Sequence, residues 1–337
     1  LAKTIPPNSP HISWQGAISF ESKERSLIPW RIPYDKIDLF PPDALLERAE
    51  KPAGVRISFR SDTTTVYGEI EPYALPEEQD SFTLDLYCDG AFHETFQIKG
   101  ENTFQFTSLP PEDKLIEIWL PQFMRFGLRS ISIDDSSYID QYEDPRPKWI
   151  TYGSSITHCR AAASSSQTWP AIVSRKHGLN LTCLGYGGNC HLEPMVARMI
   201  RDLPADFISM KVGINIYGSS SLSIRTFRSS VIGFIEILRE KHIDTPLAVI
   251  SPIYSPDRET VLNTGDLSLQ IMRNEIQEAV SKIQSYGDRN IHYIDGLSIF
   301  GEQYGHMLPD GLHPNAEGYK VMAENFLNEV AIPIFKK

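Results

Sequence analysis

Near residue 145 the spacing of apolar residues changes, and that change limits the folds open to this 337-residue chain more than any other feature. Before it, apolar residues recur at every second position. Val55, Ile57 and Phe59 alternate with Arg56, Ser58 and Arg60; Phe82, Leu84 and Leu86 alternate with Thr83, Asp85 and Tyr87; Phe104 and Phe106 flank Gln105. A period of two puts one set of side chains on a core face and the other towards solvent, as in a β-strand. Asp89-Gly90 stands between Cys88 and the run from Ala91 to Ile98. That pair suits a two-residue type I′ hairpin turn, which needs positive φ. Several short antiparallel strands without a convincing long helix predict an all-β sandwich, jelly-roll-like, over residues 1–145.

The polar, proline-bearing stretch from Asp134 to Lys148 reads as a linker. After it the pattern becomes strand, then helix, repeatedly. Trp149–Tyr152, Asn180–Leu184, Phe207–Val212, Leu247–Ser251 and Ile291–Ile294 are strand candidates. Thr168 to His177 reads as a helix with Thr168 as cap, Pro170 in its first turn and Gly178 to end it. Ser223–Lys241 and Leu267–Gln284 are helical, and Tyr319, Met322, Ala323, Phe326 and Val330 form one apolar stripe on a last helix. Alternation of this kind predicts an α/β domain with a parallel sheet over residues 146–337.

A chain of this length is expected to split into two domains. Its net charge of −11 repels phosphate backbones and anionic lipid, so neither nucleic acid nor a membrane is an expected partner. No apolar run approaches the ~18–20 residues that span a bilayer. Cys88, Cys159, Cys183 and Cys190 form no C-x-x-C pair and read as free thiols of a reducing compartment. The first residues lack the apolar core of a signal peptide, so the expectation is cytoplasmic, with an upstream segment left open because the chain starts at Leu1.

Four clusters fall where strands of the second half run into loops, the edge at which open α/β sheets bind ligands. Gly153-Ser154-Ser155-Ile156-Thr157 follows the first strand. A serine at a sharp turn near a helix start exposes its hydroxyl where backbone N–H groups favour negative charge, though such a sequence equally makes a plain turn. Asp310-Gly311-Leu312-His313 lies before the last helix. Its Asp can fix the tautomer of the His and support an imidazolium, or simply satisfy the donors of a helix-entry loop. Gly185-Tyr186-Gly187-Gly188-Asn189 and Gly213-Ile214-Asn215 can supply a backbone N–H and a side-chain amide to one oxyanion, or serve as a Gly-rich turn and a cap.

In the order Ser, Gly, Asn, Asp-x-x-His, these blocks resemble the SGNH/GDSL hydrolase superfamily over about residues 148–330. The resemblance implies a flavodoxin-like three-layer α/β/α domain. It implies Ser155 as nucleophile, His313 as base and Asp310 as its orienting partner, with the N–H of Ser155, Gly188 and Asn215 forming the oxyanion hole. Two positions depart from the family pattern: Ser154 stands where Gly-Asp-Ser has Asp, and Ile216 ends the Gly-x-Asn-Asp block. The α/β-hydrolase motif G-x-S-x-G is absent. The front half looks like the β-sandwich that precedes the catalytic domain in some carbohydrate esterases and GDSL-type acyltransferases.

The implied activity is a serine esterase that cleaves short acyl esters of a small-molecule substrate, with acetyl on a sugar or other small polar alcohol as the first guess. It needs no cofactor, and no H-x-x-x-H or matching carboxylate spacing marks a metal site. An acyltransferase with the same triad is one alternative, and a non-catalytic carbohydrate-binding protein on the same fold is another. His158, His191, Arg160, Tyr217 and His306 are further candidates for the pocket wall. Acceptor-side loops are expected at Tyr254-Ser255-Pro256 and over 301–308. Nothing in the sequence sets an oligomeric state.

Overall fold

Where apolar residues alternate, the chain forms antiparallel strands. The structure is a computed structural model that describes residues 2–73, 75 and 82–336. Its residues gather into two compact units: Leu1–Ile37 with Ala49–Pro145 and Ala163–Ser166, and Asp38–Arg48 with Arg146–Ala162 and Gln167–Lys337. The first unit carries β1 (Ala2–Ile5), β2 (Ser13–Gln15), β3 (Ser19–Ser22), β4 (Leu27–Trp30), β5 (Arg56–Ser61) and β6 (Val66–Ile70), then β7 (Phe82–Cys88), β8 (Ala91–Ile98), β9 (Thr103–Phe106), β10 (Lys114–Trp119) and β11 (Leu128–Asp134). One sheet runs β3-β4-β11-β6-β9, with β1 also on β11; the other runs β2-β5-β10-β7-β8. Asp89 and Gly90 turn β7 into β8 with φ of 48° and 78°, the positive values that a type I′ hairpin requires. Ile57, Phe59, Leu84, Leu86, Phe104 and Phe106 all lie in one buried core.

The other face of this pattern departs from expectation. Arg56, Ser58, Asp85 and Tyr87 are buried, not solvated. Two polar segments cover them. The stretch that reads as a linker straps β5: Arg60 and Asp140 exchange backbone hydrogen bonds, and the Ser61 hydroxyl donates to Tyr138 O at 2.6 Å. Arg56 thereby meets Asp144 at 3.8 Å while its guanidinium lies 4.9 Å from the Trp119 ring centre. A second strap is Ala163–Ser166. Ser164 Oγ and Ser166 N–H donate to Asp85 Oδ2 at 2.5 and 2.8 Å, and Tyr87 Oη sits 3.0 Å from Ser166 Oγ. Buried polar groups are tolerated when so paired, which is why both faces can be covered.

The second unit carries β12 (Lys148–Gly153), β13 (Asn180–Gly185), β14 (Phe207–Lys211), β15 (Leu247–Ile250) and β16 (Ile291–Ile294). They form one parallel sheet in the order β13-β12-β14-β15-β16. This is the flavodoxin-like order, in which chain direction reverses beside the first strand and opens a crevice there. In chain order the helices are α1 (Asp43–Ala49), α2 (Ser155–His158), α3 (Trp169–His177), α4 (Pro194–Asp202), α5 (Ile214–Ser219), α6 (Ile224–Arg239), α7 (Leu269–Ser285), α8 (Gly296–Ile299) and α9 (Ala316–Phe326). The predicted caps are in place: Thr168 Oγ1 accepts from Ala171 N–H, and Gly178 closes α3 with φ 62°. α1, of which residues 43–48 belong to this unit, has no counterpart in the sequence reading.

Helices cover both faces of the sheet. On one, Trp149 of β12 packs on Trp169 of α3 and Phe326 of α9, with ring centres 6.0 and 5.2 Å away. On the other, Tyr152 stacks on Phe234 of α6 at 5.0 Å. Phe326 is fully buried among Trp149, Trp169 and Phe335. Deleting its ring leaves a cavity as well as lost apolar contact. Phe326→Ala is expected to destabilise the second unit by about 3–5 kcal/mol. Urea unfolding followed by tryptophan emission measures this, since two indoles report on the same cluster; a shift below 1 kcal/mol would mean that the cluster closes over the gap.

Candidate active site

The turn that carries Ser155 is set by two glycines at facing strand ends. Gly153 and Gly185 are partners in the β12–β13 register. A Cβ on Gly185 would lie 2.4 Å from His158 N, and one on Gly153 would lie 2.2 Å from Thr157 Oγ1. Only because both lack side chains can α2 sit directly on the sheet edge. Ser154 caps α2, its Oγ accepting from Ile156 N–H at 3.3 Å, and is buried. Ser155, the first residue of α2, is half-exposed. Of the two adjacent serines, Ser155 faces the crevice.

Ser155 Oγ lies 2.8 Å from His313 Nε2, and His313 Nδ1 lies 2.6 Å from Asp310 Oδ2. The other carboxylate oxygen of Asp310 accepts from the N–H groups of Leu312 and His313 at 2.9 and 2.7 Å. Asp310 is thus tied to its own turn and to the ring at once. Partial burial opposes its ionisation, but the bonds from the His313 ring and from the two N–H groups outweigh it and hold the carboxyl down at about 2. Ser255 Oγ and Arg258 Nη1 donate to Gly311 O at 2.7 and 3.4 Å, which fixes the turn from outside.

At the end of β13, Gly188 adopts φ 75°, with open space where a Cβ would stand. Its neighbour Gly187 lies against Ser155: a Cβ there would be 3.6 Å from Ser155 Cβ. Asn215 lies in the first turn of α5, and its Oδ1 accepts from Cys190 N–H at 3.1 Å. That bond settles which way the amide faces, and leaves Nδ2 to donate elsewhere. The arrangement joins a hydroxyl to an imidazole and a carboxylate. Such a set can form and break an acyl-oxygen bond.

A sequence profile of the GDSL-like lipase/acylhydrolase family matches residues 147–331. The chain belongs to that family. A second profile, the N-terminal domain of SsfX3, matches residues 12–129. Among solved structures, the salicylyl-acyltransferase SsfX3 from a tetracycline biosynthetic pathway is 33% identical, with a TM-score of 0.92 over 98% of this chain and 97% of that one. A GDSL-like lipase from Bacteroides ovatus shares the fold at 24% identity and a TM-score of 0.78, with 98% of each chain covered. So does a family two carbohydrate esterase from Clostridium thermocellum, at 14% identity and a TM-score of 0.68 over 97% of this chain and 99% of that one. Comparison with curated sequences yields no match.

The two departures from the GDSL pattern have local explanations. Ser154 supplies the short side-chain acceptor that caps α2, and Ile216 is fully buried in apolar packing. His158 is not a pocket-wall residue: it is buried beneath the Gly-rich loop, where its Nδ1 accepts from Gly187 N–H at 3.4 Å. His191 Nε2 donates to Gly188 O at 2.9 Å, and Tyr217 Oη donates to Val261 O at 3.1 Å. Arg160 and His306 are exposed. Burial pushes the Cys159 and Cys190 thiols up, so neither competes with the serine. Among the described residues, no three His, Cys, Asp or Glu side chains cluster as metal ligands, and no helix is long and apolar enough to cross a membrane.

Sequence reasoning missed Arg258 and Arg48 outright, and named Ser255 and Asn189 only as members of their loops, not as residues that hold the site. Asn189 follows two glycines, and an Asn there signals a side chain folded back on a turn. The Asp310 turn also has a pH signature. Its folded value, about 2, lies below the ordinary 3.8, so the stability that it adds is fully present above about pH 4 and is lost as pH falls towards 2. Asp310→Asn is expected to unfold more readily than the parent at pH 6, with the gap closing between about pH 4 and 2. Urea midpoints across that range test it; a gap independent of pH would show that the charge is not what the turn holds.

Proposed function

We propose that this chain is a serine esterase that cleaves short acyl esters through an acyl-enzyme on Ser155. One observation carries the reading: the unbroken chain of hydrogen bonds from Ser155 Oγ through His313 to Asp310. In this reading Ser155 Oγ attacks the ester carbonyl while His313 Nε2 takes its proton, and Asp310 holds Nδ1–H and supports the imidazolium. The N–H groups of Ser155 and Gly188 and the Asn215 amide donate to the oxyanion of the tetrahedral intermediate. His313 returns its proton to the departing alcohol. Water then attacks the acyl-Ser155 carbonyl as His313 accepts its proton, and the acid leaves as Ser155 regains its hydrogen. No cofactor or metal enters. A small polar alcohol, such as a sugar bearing an acetyl group, is the proposed leaving side, and a reducing compartment suits four free, buried cysteines.

Ser155→Ala is expected to lower ester turnover by about 10⁴- to 10⁶-fold with folding intact. A fluorophosphonate should add to Ser155 in the parent and not in the variant, read by intact-protein and peptide mass. Labelling at Ser154 would move the nucleophile by one residue. No labelling at all would leave a carbohydrate-binding protein on a hydrolase fold.

A second reading has its own support. Similarity to a salicylyl-acyltransferase runs through 98% of this chain, front half included. Acyl transfer needs the same triad and differs only in that a second alcohol, not water, attacks the acyl-Ser155. Partitioning separates the two: with an activated ester and graded alcohol, an esterase yields free acid throughout. A transferase yields saturable ester formation at the expense of acid. The acceptor would enter past Ser255 and the turn at 301–308.

A further inference from the structure

The Gly-rich loop has an unexpected neighbour. Arg48 of α1 donates from Nε to Gly187 O at 3.4 Å, and the same carbonyl accepts from Asn189 Nδ2 at 2.8 Å. Asn189 Nδ2 also donates to Ala44 O, one turn earlier in α1, at 3.2 Å. α1 is itself anchored by Leu45, which is fully buried. A Cβ on Gly187 would lie 3.6 Å from Arg48 Nε and 3.6 Å from Ser155 Cβ, so the arginine and the serine flank the same glycine.

The consequence lies in peptide geometry. Gly187 C=O and Gly188 N–H belong to one planar trans peptide, so they point in opposite directions. Two donors that fix the carbonyl therefore aim the N–H. The adjoining groups are held too: Gly187 N–H by His158 Nδ1 at 3.4 Å, and Gly188 C=O by His191 Nε2 at 2.9 Å. Without such ties a Gly-Gly pair samples a wide range of orientations, and an oxyanion donor that must reorganise during reaction loses most of its value.

We infer that Arg48 is a positioning residue of the active site: with Asn189 it clamps the Gly187–Gly188 peptide so that Gly188 N–H is preset towards the oxyanion. The inference rests on the reading of Gly188 as an oxyanion donor. It makes α1, which lies 107 residues before the nucleophile in sequence, part of the catalytic apparatus of the second unit.

The test compares Arg48→Met, which keeps length and packing without a donor, with Arg48→Lys, which keeps a charged donor, both in the full chain. Removing an oxyanion donor outright costs about 10²–10³ in rate, so loosening one is expected to cost about 10-fold in kcat with KM unchanged. Arg48→Lys should recover part of that loss. A trifluoromethyl ketone, whose adduct with a serine hydroxyl places an oxyanion in the hole, should bind Arg48→Met about 10-fold more weakly. The Gly188 amide resonance, assigned by ¹⁵N-glycine labelling, should shift or broaden in Arg48→Met and not in Arg48→Lys. Arg48→Met with the parent's kcat and the parent's Gly188 resonance overturns the clamp, as does a loss that appears only in KM. If the parent neither turns over esters nor forms the ketone adduct, the esterase reading fails; the Gly188 resonance still decides whether Arg48 holds the peptide.

Discussion

The site depends on how closely α2 can approach the sheet. Parallel pairing sets Gly153 of β12 opposite Gly185 of β13; the backbone of α2 rests where a Gly185 side chain would be, and the Thr157 side chain rests where one on Gly153 would be. A Cβ at position 185 would meet that backbone at 2.4 Å, so α2 would have to move off the sheet. Two results follow from this one contact. Ser155 is delivered to the crevice at the first turn of α2, and His158, at its last residue, is driven under the Gly-rich loop to take the Gly187 N–H. Ser155 and the loop beside it are thus placed by the same short helix.

The other half of the site is built on a different principle. The turn at 310–313 is held largely by itself: one carboxylate binds two N–H groups and a ring within four residues. Its connection to the rest of the unit runs through Gly311 O, which Ser255 and Arg258 grip. The Gly-rich loop has no such independence: besides the local bonds of Asn189 and His191, it is held by His158 and by Arg48 from two distant places in the chain.

That contrast explains what could be read from the sequence. The parallel sheet was legible because each strand is a short apolar run closed by small or polar residues, and the helices between them carry local signals such as the Thr168 cap, which acts within three residues. The Asp310–His313 turn was legible for the same reason: its bonds are local. The burial of Arg56 and Asp85 was not, because a period-two pattern reports one covered face, while the straps over the other come from 138–144 and 163–166. Nor was Arg48. Seven residues among strands give a helix too short to show a period, and the partners of α1 lie 139 and 145 positions away.

The strap at Ala163–Ser166 also bears on the order in which the molecule can be completed during synthesis. Asp85, fully buried, takes hydrogen bonds from Thr95 within the sandwich and from Ser164 and Ser166 beyond it. As the chain leaves the ribosome, every strand of that sandwich has emerged some thirty residues before those serines do. During that interval the carboxylate can stay hydrated, so that face of the sheet stays uncovered. Covering of that face is therefore completed only once the segment that follows Ser155 has been translated.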